Sequence, residues 1–148
     1  MDEQNRQVTD ALIELLKQMG ALGQSIGAEF GLNSSDAMAL YKIDGPLSMK
    51  ELSLRLGCDA SFVTSIADSL EKHGLARREP SLRDRRSKTI VLTEHGEQVR
   101  EQITGEVTAR MPWCNALDTT ERQCFLELLR KMSAKGGDRV TPATAMPS

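Results

Sequence analysis

Residues 47–93 read LSMKELSLRLGCDASFVTSIADSLEKHGLARREPSLRDRRSKTIVLT, and the order of local signals in this stretch decides the fold. Ser48 and Glu51 stand three apart, the spacing of a capping box, in which hydroxyl and carboxylate each satisfy the other residue's amide. Leu47 and Leu52 flank them at the positions of a hydrophobic staple. Leu52 and Leu56 share one helical face with Leu54 off it, and Gly57 suits a left-handed stop. Asp59 then caps a second helix, predicted from Ala60 to His73. Phe62, Val63, Ile66, Ala67 and Leu70 recur at helical spacing and are expected to form its buried face. Ser61, Thr64, Ser65 and Asp68 fall on the other side. Gly74 follows Lys72 and His73, basic residues at the negative end of the helix dipole. Beyond it, Leu75–Arg78 and Thr89–Leu92 read as strands joined by a charged loop.

Helix, tight turn, helix, strand, charged loop, strand is the pattern of a winged helix-turn-helix, a module that lays its second helix in the DNA major groove. The small side chains at 61, 64 and 65 suit a groove about 12 Å wide. A serine-rich solvent face on an ordinary amphipathic helix would look the same, so the helix alone decides little. Charge decides more. Between Lys72 and Lys88 there are seven basic residues (Lys72, Arg77, Arg78, Arg83, Arg85, Arg86 and Lys88) against Glu79 and Asp84, a local charge of +5. The chain totals −2, leaving −7 for the remainder. A hairpin facing phosphates gains from such segregation, because neutralising phosphates releases counterions.

The run GLARRE…RDRRSKTIVLTEHG resembles the wing of the multiple antibiotic resistance regulator (MarR) family, with its Asp-Arg-Arg element at Asp84, Arg85 and Arg86, followed by Leu92, Thr93 and Gly96. Upstream, Val63, Thr64, Asp68, Leu70, Glu71, Gly74 and Leu75 match the family's helix pattern. The likeness spans roughly residues 8–133. It implies a dimeric regulator on a pseudo-palindromic double-stranded operator, with Ser61, Thr64 and Ser65 toward the bases. Arg83, Arg85, Arg86 and Lys88 would serve the wing, with Arg85 or Arg86 entering the minor groove, the resemblance favouring Arg86. Asp84 is expected to hold an arginine by a salt bridge. The resemblance further implies a repressor released by a small aromatic or lipophilic effector. Ser65 and Ser69 depart from the family, whose members often carry Arg or Lys there, so more of the affinity passes to the wing.

Elsewhere, Val8, Leu12, Leu15, Met19, Leu22 and Ile26 repeat every three or four residues, predicting a helix from about Asn5 to Glu29. Gly20, Gly23 and Gly27 weaken it by roughly 1 kcal/mol each, so it needs a partner surface. Asn33, Ser34 and Ser35 are N-cap candidates for a helix with Ala37, Leu40, Tyr41 and Ile43 as apolar positions, Tyr41 in the core with its hydroxyl at a rim. Gly45-Pro46 breaks the chain. Thr93 caps a helix carrying Val99, Ile103 and Val107, ended by Pro112. Asp118 and Glu121 start a last helix with Phe125, Leu128, Leu129 and Met132 on its apolar side.

The expected architecture is mainly α with a small β-hairpin wing. Residues 5–32 and 94–133 supply dimerisation helices, 34–93 the DNA-binding domain and 134–148 a disordered tail. No run of about 18 apolar residues is present, which argues against a membrane span, and the polar N-terminus lacks the order of a signal peptide. Three cysteines, none in a CxxC, read as reduced cytoplasmic thiols. Cys58 reads first as an inert buried thiol and second as a redox-responsive group at a helix start. His73 and His95 form no metal-spaced cluster, so neither enzyme, metal nor cofactor is expected. The rival function is a winged-helix module that docks on protein instead of DNA.

Overall fold

The computed structural model describes residues 2–136. Its elements are α1 (Glu3–Glu29), α2 (Ser34–Lys42), β1 (Leu47–Ser48), α3 (Met49–Leu56), α4 (Ala60–Lys72), β2 (Ala76–Pro80), β3 (Lys88–Leu92), α5 (Glu94–Arg110), α6 (Pro112–Ala116) and α7 (Thr119–Gly136). The protein is mostly helical with one small antiparallel sheet of order β1-β3-β2. The chain divides after Arg110 into two compact units.

The expected caps are present where i to i+3 chemistry places them. Ser48 and Glu51 close both bonds of their box, at 3.0 and 2.9 Å. Asp59 accepts from the Phe62 amide at 2.8 Å, and Asn33 from the Asp36 amide. Asp118 and Glu121 reciprocate at 2.9 and 2.8 Å. Gly57 ends α3 in the left-handed conformation. α1 begins two residues before its predicted start, with Asp2 as its cap, and runs through all three glycines. β2 and β3 reach Pro80 and Lys88, so the hairpin strands are longer than the sequence indicated. β1, which carries no strand signal of its own, is added to the sheet by pairing Leu47 with Ile90 and Ser48 with Thr89.

The core of the first unit lies where α2, α3, α4 and the sheet converge. Leu40, Ile43, Leu52, Leu70 and Ile90 are sealed from solvent. α1 enters it only at its C-terminal end. Its apolar stripe passes from Val8, 61% exposed, to Ile26, 2% exposed. In the second unit, Thr119–Ala134 of α7 carry no buried side chain, and Leu126, Leu128, Leu129 and Met132 lie open.

Three expectations are corrected here. Phe62 is not part of the buried face of α4 but 46% exposed, while Val63, Ile66, Ala67 and Leu70 are buried. Tyr41 is 37% exposed and not a core residue. Ala134, Lys135 and Gly136, assigned to the tail, belong to α7. The rest of that expected tail, 137–148, lies outside the described residues.

Candidate nucleic-acid interface

α4 buries Val63, Ile66, Ala67 and Leu70 in the first unit and leaves its opposite face in solvent. Ser61, Phe62, Thr64 and Ser65 are all exposed on it. Their hydroxyls are not equivalent. Ser61 Oγ donates to Asp59 Oδ1 at 2.7 Å and Thr64 Oγ1 to the Ala60 carbonyl at 2.9 Å. Both donors are thereby committed, and each oxygen is left to accept. The Phe62 amide and the Ser61 hydroxyl together hold the Asp59 carboxyl below the usual carboxylate range. Ser69, the other serine departure, is half-buried and donates to Asp36 Oδ2 at 2.5 Å, tying α4 to α2 through the buried carboxylate of Asp36. It therefore positions the helix and does not face outward.

The turn leading into α4 is stitched from both sides. The Cys58 amide donates to the Ser53 carbonyl, and Ser53 Oγ donates to the Cys58 carbonyl. Cys58 itself is half-buried.

The hairpin holds Arg83, Arg85, Arg86 and Lys88 exposed. Among the described residues, none of the four joins an ion pair. Asp84 departs from its expected role. Its carboxylate accepts from the Arg86 amide at 3.0 Å and from Ser87 Oγ at 3.3 Å, and the described ion pairs do not include it. It shapes the loop by an Asx-type turn, a local bond that competes better than a salt bridge between exposed groups. The Ser81 amide to Ser87 carbonyl bond closes the loop's neck at 2.9 Å.

Two of the seven cations counted in the sequence are spent internally. Arg77 Nε meets Glu79 at 2.6 Å. Arg78 is clamped against α4. Its amide and Nε donate to Glu71 Oε1 at 2.8 and 3.2 Å, and its guanidinium also bridges Glu71 Oε2 and Asp68. Hydrogen bonds from Arg78 hold the Glu71 carboxyl below its usual range, and the Arg78 guanidinium is raised in turn by Glu71 and then Asp68. This clamp was not legible in the sequence, where Arg78 was one more charge in a basic run. It fixes the base of the hairpin to the helix beside it. Among the described residues, no group of His, Cys, Asp and Glu could hold a metal ion, and no helix is long and apolar enough to cross a membrane.

A capped, outward helix with a basic hairpin clamped beside it defines a winged helix-turn-helix protein. A family model described as the MarR family matches residues 32–88. Transcriptional repressor MprA of Escherichia coli strain K12 is 33% identical over 110 residues, covering 71% of this chain and 62% of MprA. The chain thus spans about three fifths of the length of that relative. The HTH-type transcriptional regulator YdgG of Bacillus subtilis is 25% identical over 122 residues, 79% of this chain and 80% of YdgG. Among solved structures, AbsC, a MarR family transcriptional regulator from Streptomyces coelicolor, superposes with a TM-score of 0.80 at 18% identity, covering 94% of this chain and 98% of AbsC. A cysteine-to-serine mutant of MarR from E. coli, complexed with operator DNA, gives a TM-score of 0.72 at 20% identity, covering 89% of this chain and 99% of that one. At such identities the two structures share the fold.

Proposed function

We propose that two copies of this chain bind a pseudo-palindromic duplex and act as a transcriptional repressor, without catalysing a reaction. The observation that carries this reading is electrostatic. Arg83, Arg85 and Arg86 stay exposed and outside every described ion pair, while Arg77 and Arg78 beside them are neutralised. In a loop built only for solubility, nothing would separate the two sets. Ser61, Thr64 and Ser65 take base edges or adjacent phosphates, Arg86 the minor groove, and Arg83, Arg85 and Lys88 the flanking backbone. Residues 34–93 form the DNA-binding part. Residues 5–32 and 94–133 supply contacts between copies, each covering exposed leucines of the other. The likeness to MprA supports repression. Release by a small aromatic or lipophilic effector completes the reading, and the cytoplasm, where three unpaired thiols stay reduced, is its place.

The test is a mobility shift on the DNA upstream of the chain's own coding region at two salt concentrations. Binding should weaken with a log–log slope of about −0.9 per phosphate contacted. Absence of a shift at either salt concentration would sink the reading and favour a protein-docking module.

A further inference from the structure

The first two turns of α4 carry one side chain that the outline above leaves unused. Phe62 is a phenyl ring 46% exposed on the helix that faces DNA, among Ser61, Thr64 and Ser65. Leaving so large an apolar side chain in water forgoes much of the gain from burial. Its place is not loose, since the Phe62 amide is held by Asp59 Oδ1 at 2.8 Å, the N-cap bond that starts the helix. Residues at the N-terminal end of a recognition helix are those that reach base edges. Phe62 also stands one turn before Ser65, so the two share a strip of surface.

We infer that Phe62 reads the C5-methyl group of thymine in the major groove. This rests on the proposal that the chain binds duplex DNA. The thymine methyl is the apolar group that base edges offer on that side, and phenylalanine is among the side chains suited to it. The neighbouring chemistry points the same way. Ser61 and Thr64 have committed their protons and present acceptors, which suit the exocyclic amino groups of adenine and cytosine and not the O6 and N7 acceptors of guanine. The basic residue of α4 is Lys72 in its last turn, so the helix start holds no cation for guanine. An acceptor for adenine's amino group and a ring for thymine's methyl describe the two halves of an A·T pair.

The experiment selects bound sites from a randomised duplex library with the full chain, then replaces each enriched thymine by deoxyuridine, which differs only in lacking the methyl group. Loss of affinity of about three- to five-fold at one thymine per half-site is expected, the cost of uncovering one methyl group. Phe62→Ala should bind the thymine and uracil duplexes equally, and Phe62→Leu should restore discrimination between them. Equal affinity of the unaltered protein for the two duplexes overturns the inference, as does an enriched site without thymine, while both leave DNA binding intact. Absence of binding to any duplex overturns the DNA-binding reading together with it.

Discussion

Thr93 and Gly96 show how single residues hold the hairpin to the helix that follows. Thr93 Oγ1 donates to the Gly74 carbonyl at 2.7 Å and accepts from the Gly96 amide at 3.0 Å. The Thr93 amide donates to the Leu75 carbonyl at 3.0 Å. A Cβ on residue 96 would lie 1.9 Å from that same Leu75 carbonyl oxygen, a backbone atom with no rotamer to retreat into. Gly96→Ala should therefore destabilise the protein by at least about 2–3 kcal/mol, read as a lowered urea midpoint. Thr93→Val removes the cap and should cost about 1–2 kcal/mol. The arginines divide differently. Arg86→Ala should leave the thermal midpoint in place yet weaken DNA binding and reduce its salt slope by about 1. Arg78→Ala should lower the midpoint, because it strands Glu71 and Asp68. If the two variants behaved alike, the distinction between clamped and free guanidinium groups would be wrong.

The bond between α4 and β2 is the joint on which hairpin placement turns, and it carries a pH signature. The Glu71 carboxyl is depressed below 4.5 by its bonds from Arg78. A carboxyl with a lowered folded-state value stabilises the fold fully above its unfolded value and loses that contribution as pH falls through the folded one. Stability should thus decline below about pH 4.5, and Glu71→Gln should flatten part of that decline in a thermal-melt series. A series with the same slope in both proteins would mean that Glu71 contributes nothing. The caps of α2, α3, α4 and α7 were legible in the sequence because each joins residues three apart, and such bonds need no knowledge of the rest of the chain. The depth of Phe62 was not. Helical spacing put it at the edge of an apolar arc, and the arc's true width depends on which neighbours arrive to cover it.

The two longest helices, α1 and α7, each carry a group of open apolar side chains. Val8, Leu12, Ile13 and Leu16 on α1, and Leu126, Leu128, Leu129 and Met132 on α7, are each more than a third exposed. Apolar surface of this regularity on two long helices fits coverage by a second copy, as symmetric DNA-binding proteins commonly achieve. Sedimentation at micromolar concentration should give a dimer. Leu12→Asp combined with Leu129→Asp should give a monomer whose affinity for the two-fold site falls by more than tenfold, since a dimer couples its half-sites through effective concentration. A wild-type monomer that nevertheless bound the full site tightly would contradict this arrangement.

Sequence by itself determined the caps of α2, α3, α4 and α7, the hairpin and its surplus of arginine, and the family resemblance that these carry. All of them rest on interactions within a few residues or on composition within one segment. Tertiary structure alone decided that Leu47 and Ser48 join the sheet, that Arg78 is consumed by Glu71 and Asp68, that Ser69 is spent on Asp36, and that Phe62 is left facing outward. Each of these depends on which distant segment arrives at the same point in space. Hydrogen bonds, ion pairs and burial are settled by that proximity, and no local pattern encodes it.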